Sequence, residues 1–147
     1  MTNPPLRLLT GFTEAFNTSP QLTLEVPGRE MWLAADPASE GRYVLVVPDL
    51  DARTLFNWRS ARQKRTLHQR PLPVWAFYCA GALLELMYDG LTLPGANLAI
   101  VGEEPAGPRY DYAMGMAFAT LAYRMNEYPY TADTLIALME RVRRSYV

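Results

Sequence analysis

Histidine and cysteine are almost missing from this chain: His68 and Cys79 are the sole examples of each. With one thiol no disulfide can form within the chain, so a reducing cytoplasm is its natural compartment. The two residues do not stand at metal-ligand spacing, so no transition-metal site is expected. They also leave no Ser-His-Asp or Cys-His constellation to propose; Cys79, inside an apolar stretch, reads as core. Strong charge of either sign is absent too. The formal net charge is −1, which predicts neither a polyanion binder nor an acidic tail. The longest apolar run, Val74 to Met87, is too short for a bilayer and contains Glu85. Met1 to Pro5 has no basic region leading into an apolar run, so a signal peptide is not expected and the protein reads as cytoplasmic, with no membrane partner. Repeats and low-complexity linkers are missing, so residues 1–147 read as a single domain.

What is present suits a globular core. Half of the 147 residues are apolar and 20% are charged. Pro4 and Pro5 open a helix with Leu9, Phe12 and Phe16 at helical spacing, closed by Asn17 to Pro20. Leu22, Leu24 and Val26 then alternate with polar residues as a half-buried strand. Glu30 to Ala35 and Tyr43 to Val47 predict two more strands, the latter ended by Pro48. Another strand is expected over Arg53 to Trp58, with Thr54, Phe56 and Trp58 on one face. Gln63 to Gln69 suits a polar edge strand.

Trp75 to Tyr88 predicts a buried helix, apolar nearly all round and closed by Asp89-Gly90. Ala96 to Val101 predicts a strand. Asp111 to Arg124 predicts a helix whose Ala113, Gly115, Ala117 and Ala119 admit a close neighbour. The last helix starts at a Thr131 cap, carries Leu135, Leu138, Met139 and Val142 on one stripe, and places its charges to suit the helix dipole. Strands early and helices late indicate an α+β domain.

Several segments together resemble a known family. Val26-Pro27-Gly28-Arg29, followed later by Gly41 to Pro48, is similar to the galactokinase signature P-G-R-V-N-L-I-G-E-H-T-D-Y leading into N-G-G-x-V-L-P. Trp75-Ala76-Phe77-Tyr78-Cys79-Ala80-Gly81 resembles W-A-N-Y-V-K-G, and Leu93-Pro94-Gly95-Ala96 resembles L-P-G-F. Gly102 to Gly107 resembles the G-x-I-P-x-G that opens a phosphate loop. Four matches in family order point to a galactokinase-like N-terminal domain of the GHMP kinase superfamily. The resemblance implies an α+β fold with a mixed or antiparallel sheet covered by helices and a left-handed β-α-β crossover. It implies ATP-dependent sugar phosphorylation with ATP and Mg if the family's activity is retained.

The resemblance also assigns roles. Arg29 matches the arginine near the transferred phosphoryl group, though it also reads as a surface residue at a strand start. Trp75 and Tyr78 match positions bordering adenine, or are core aromatics. Gly107 is a surviving glycine of the phosphate loop. The Glu, His and Asp that hold the sugar fall on Ala35, Asp36 and Ala38, so Asp36 alone stays polar. Each lost charged or buried hydrogen-bond partner costs about 1.5–3 kcal/mol, which speaks against galactose recognition.

The phosphate loop departs further. In place of P-x-G-x-G-L-S-S-S-A the chain has Pro105 to Met114, where Pro108 removes a donor and Arg109 replaces a glycine. Asp111 would set a carboxylate against an anion, costing roughly 4 kcal/mol at about 4 Å and an effective dielectric near 20. Tight ATP binding is not expected, and no cofactor is expected for this chain alone. The family's G-x-M-D-Q segment and second domain do not occur here, leaving a natural half-gene and a fragment of a longer protein both open.

The leading expectation is a catalytically degenerate domain serving in binding or regulation, alone inactive, with a possible sugar or nucleotide ligand. Self-association or a partner domain would cover the surface of the missing half. The alternative is part of a longer sugar kinase with an altered phosphate loop. A third reading is a nucleic-acid-binding module using the basic strip Arg59, Arg62, Lys64, Arg65, His68 and Arg70. Nucleic acid is not the favoured partner, because a basic polar hairpin also protects a sheet edge.

Overall fold

The computed structural model describes residues 3–38 and 40–147. Helix α1 (Leu6–Phe16) follows Pro5, whose extended backbone forms the N-cap, and ends where Asn17 turns left-handed. Strands β1 (Leu22–Glu25), β2 (Met31–Pro37), β3 (Tyr43–Val47) and β4 (Ala52–Phe56) follow. A short 3-10 turn, Pro48–Leu50, separates β3 from β4. Then come α2 (Trp58–Arg62), a 3-10 turn at Val74–Ala76, α3 (Phe77–Tyr88), β5 (Ala96–Gly102), α4 (Pro108–Met125) and α5 (Ala132–Ser145).

The five strands form one sheet in the order β1-β2-β5-β3-β4. Every pairing is antiparallel except β3 with β5. Because side chains alternate along a strand, Leu33, Leu45, Leu98 and Ile100 face the main core, shared with α3, α4 and α5. Ala34, Ala99 and Val101 face the other way, against Leu8 and Phe12 of α1. The sheet is therefore covered on both faces.

The β3–β5 pair has a definite hand. Ala96 donates its N–H toward β3, to the Arg42 carbonyl, while its side chain faces the helices of the main core. For an L-residue held so, β3 lies to the right of β5 when both strands point up and the helices are toward the viewer. The chain passes through α3 on that side, so the connection runs right to left. The crossover is left-handed, against the usual rule and as the resemblance implies.

Two expected elements differ. Trp58 does not extend β4: the Asn57 side chain accepts from Ser60 N–H and starts α2 with a capping box, which turns the indole onto a helix. Gln63 to Gln69 is not an edge strand either. It forms turns with Lys64 and Gln69 at positive φ, touching the sheet where Leu67 N–H donates to the Leu55 carbonyl. The predicted helix at Trp75 begins as the 3-10 turn and becomes α-helical at Phe77.

Helices α3, α4 and α5 pack closely because Gly81 and Gly115 let them: a Cβ on Gly81 would stand 2.5 Å from Val142 Cγ1. A Cβ on Gly115 would stand 2.5 Å from Met139 Sδ and 2.7 Å from Tyr78 Cβ. Residues Ala113 to Thr120 are all buried, so the small residues sit within a helix enclosed on every side rather than on one stripe. The last helix matches its expected form: Thr131 accepts from Thr134 N–H, and Leu135, Leu138, Met139 and Val142 are buried.

Candidate functional site

The site grows from the place where β5 ends. Glu103 N–H donates to the Glu30 carbonyl, extending the β2–β5 ladder by one step and fixing the direction of the following turn. Gly107, at φ 142, is the N-cap of α4 and has a backbone that L-residues rarely adopt. The helix starts at Pro108, three residues before Asp111, so Pro108 to Asp111 form its first turn and not an open loop. A helix N-terminus offers backbone N–H groups to an anion, but Pro108 has none to give.

Arg29 reaches this place from the β1–β2 turn, where Arg29 N–H donates to the Val26 carbonyl. Its Nη1 donates to Glu104 Oε1 at 2.6 Å. The same guanidinium lies over the Tyr112 ring, 5.6 Å from its centroid. Tyr112 donates its hydroxyl to Glu140 Oε2 at 3.0 Å. Burial and then that carboxylate push the Tyr112 phenol up to about 12. Tyr78 meets Tyr112 edge to face at 5.2 Å. Arg29, Tyr112 and Tyr78 thus form one chain of contacts, and Glu104 ties it to the loop that holds Gly107.

The other expected residues fall elsewhere. Trp75 is half-buried in the 3-10 turn before α3 and packs on the main core. Asp36 lies near the far end of β2, roughly 16 Å along the strand from Met31 at a rise of about 3.3 Å per residue. Its carboxylate accepts the Gln21 backbone N–H. The fold does not bring Asp36 together with Arg29.

A second cluster was not legible in the sequence. Asp49, in the 3-10 turn after β3, accepts from Tyr110 Oη at 2.6 Å, Gly102 N at 2.8 Å and Arg7 Nε at 3.0 Å. Burial alone would push the Asp49 carboxyl up, but these hydrogen bonds outweigh it and hold it below the usual carboxylate range. Arg7 also pairs with Glu103 at 3.0 Å. The cluster clamps α1, the 3-10 turn, the end of β5 and the start of α4. Arg7 and Tyr110, which both donate to Asp49, are 103 residues apart in the chain, and no local pattern announces the cluster.

A pocket of about 490 Å³ opens at the α4 N-terminus, lined by Glu30, Glu103, Glu104, Gly107, Pro108 and Arg109 among others. Three carboxylates face one guanidinium there. Glu104 Oε2 is buried with no hydrogen-bond partner among the described residues. Burial raises the Asp111 carboxyl in the first turn of α4. Of the three carboxylates, Glu30 is exposed, Glu103 pairs with Arg7 and Glu104 pairs with Arg29. Among the described residues no group of three or more His, Cys, Asp or Glu side chains is placed to hold a metal. Nor, among them, is any helix long and apolar enough to cross a membrane.

Comparison with known proteins defines the class through the fold. No protein-family profile and no curated protein sequence matches the chain. Solved structures do. The galactokinase of Lactococcus lactis complexed with galactose superposes with a TM-score of 0.63 at 16% identity, over 82% of this chain and 31% of that one. The mevalonate kinase of Methanococcus jannaschii gives 0.58 at 13% identity, over 78% and 36%. A further mevalonate kinase gives 0.55 at 12% identity, over 83% and 44%.

The chain therefore has a GHMP-kinase-like fold, an α+β domain with a mixed five-stranded sheet. It spans between 31% and 44% of the length of those kinases.

Proposed function

We propose that this is a galactokinase-like domain without catalytic competence of its own, acting in binding or regulation. The observation that carries the reading is the pairing of Arg29 with Glu104 at 2.6 Å. Arg29 is the residue that the resemblance sets beside the transferred phosphoryl group, and here a carboxylate already occupies its Nη1. The proline at the start of α4 and the carboxylates of its pocket support the same reading. Neither ATP nor Mg is assigned to the chain on this account.

Leu6, Val74, Tyr128 and Ile136 are exposed large apolar side chains. They support self-association or a covering partner, and a strictly monomeric light-scattering profile at high concentration would remove that part of the proposal.

Calorimetric titration of Mg-ATP and of galactose, separately, into the purified chain tests the central claim. No binding heat at micromolar concentration is expected for either. Micromolar binding of Mg-ATP or galactose would overturn it.

A second reading is supported by the coverage of 31–44% of the kinase structures: part of a longer sugar kinase, active when joined to its remainder. A G-x-M-D-Q-like segment encoded directly downstream, together with sugar phosphorylation by the longer product, would establish it.

A further inference from the structure

From Ala52 to Leu84 the chain has Arg53, Arg59, Arg62, Lys64, Arg65 and Arg70 but no Asp or Glu. This stretch therefore carries a formal charge of +6, and the rest carries −7 in a chain of net −1. The fold gathers the positive part on one edge: β4 is the last strand of the sheet, α2 follows it, and residues 63–70 fold back beside it. All six basic side chains are on exposed residues, and among the described residues none of the six is in an ion pair. Residues 63–70 meet the β4 edge through Leu67 N–H to the Leu55 carbonyl, so some of this charge guards that edge, but Arg59 and Arg62 lie on α2, off the strand.

Aromatic rings are interleaved with these charges, which the linear sequence hides. Trp58 is 38% exposed, with the Arg59 and Arg62 guanidinium carbons each 5.6 Å from its ring centroid. Lys64 Nζ lies 5.0 Å from the ring centroids of both Phe77 and Tyr146. Beside them a groove of about 570 Å³ runs between α2, α3 and the end of α5, with Trp58, Arg62, Leu84, Met87, Tyr88 and Tyr146 in its walls. Tyr88 is 85% exposed. The groove holds one carboxylate, Glu85, and Arg141 Nε takes it at 3.2 Å while also pairing with Asp89.

We propose that this face binds single-stranded nucleic acid, with the arginines and Lys64 taking phosphates and Trp58 and Tyr88 stacking on bases. Cations free of carboxylates beside partly exposed rings are what such a strand requires, and a base can replace Arg59 or Arg62 over Trp58 because every base offers a π-face. Six cations exceed what a single nucleotide engages. An acidic peptide would use the charge but leave the rings without a role. The proposal is independent of the α4 pocket and of the degenerate-kinase reading.

The test is fluorescence anisotropy of labelled 20-mer oligo(dT) and oligo(U) with the full chain. Binding is expected at 50 mM salt. Neutralising about four phosphates gives a log–log salt slope near −3, or roughly a 50-fold loss of affinity at 200 mM. Trp58→Ala and Tyr88→Ala should each weaken binding about fivefold or more with the slope kept. The double variant Arg62→Ser, Arg65→Ser should flatten the slope by about 1.4. Thermal melts confirm folding, and Tyr88, lying almost wholly in solvent, gives a variant that folding does not depend on. No binding at 50 mM salt overturns the proposal, as does unchanged affinity in both aromatic variants. Equal affinity for a polyglutamate peptide of matched charge would give the face to an acidic protein instead.

Discussion

Arg29 and Glu104, 75 residues apart, meet at 2.6 Å with about a fifth of each side chain exposed. The pair joins the β1–β2 turn to the loop before α4 and sets Arg29 over Tyr112. A double-mutant cycle with Arg29→Met and Glu104→Gln should give a coupling of about 1 kcal/mol by urea unfolding, the upper end for partly exposed pairs. A coupling near zero would show that the contact does not organise this end of the domain.

Gly115 is expected to tolerate no side chain. Gly115→Ala would push a methyl into Met139 Sδ and Tyr78 Cβ, with the Tyr78 backbone carbon behind at 3.2 Å. Overpacking of this kind costs about 2 kcal/mol, or about 6 °C in Tm for a chain of this size. A wild-type melting curve for this variant would mean that α3, α4 and α5 pack less closely than described.

Asp49 predicts an acid limb of stability. Its carboxyl is held below the ordinary value, so its contribution is complete above the unfolded-state pKa and is lost as pH falls through the lower folded value. Asp49→Asn should therefore destabilise most at neutral pH and least in acid, narrowing the gap to wild type as pH drops below about 4. Tyr110→Phe, which removes one charge-assisted bond to the same carboxylate, should cost about 1.5 kcal/mol near neutral pH. Parallel stability curves for Asp49→Asn and wild type across acid pH would exclude this role.

Helix α5 should depend on its cap. Thr131 and Thr134 exchange side-chain and backbone hydrogen bonds at its start. Thr131→Ala should cost about 1 kcal/mol in chemical denaturation, and Thr131→Asn should recover most of it. Failure of Asn to rescue would point to the Thr methyl rather than the cap.

Much of the architecture could be read from local pattern. The alternation at Leu22 to Glu25, the apolar run of β3 and the Thr131 cap each lie within a few residues of chain, where period and hydrogen-bond chemistry are decided locally. Trp58 shows the limit. Thr54, Phe56 and Trp58 continue a period of two, but the Asn57–Ser60 capping box competes and starts a helix. Pro108 shows another: proline suits the first helical turn, so the helix begins inside the segment that the resemblance assigned to the phosphate loop.

The candidate site was only half legible for a different reason. Arg29 and Gly107 stood out through motif resemblance, whereas Glu104 as the partner of Arg29, and Asp49 as the partner of Tyr110, emerge only when distant segments meet. Asp36 kept a polar character that the motif picked out, but a regular β2 carries it away from Arg29.

By itself the sequence determined most of the strands and helices, because side-chain period, caps and prolines act over one or two turns of chain. Only the tertiary structure decided that Arg29 is tied to a carboxylate, that Lys64 lies against Phe77 and Tyr146, and which way the crossover turns. Those depend on contacts between residues far apart in the chain, which no local spacing encodes.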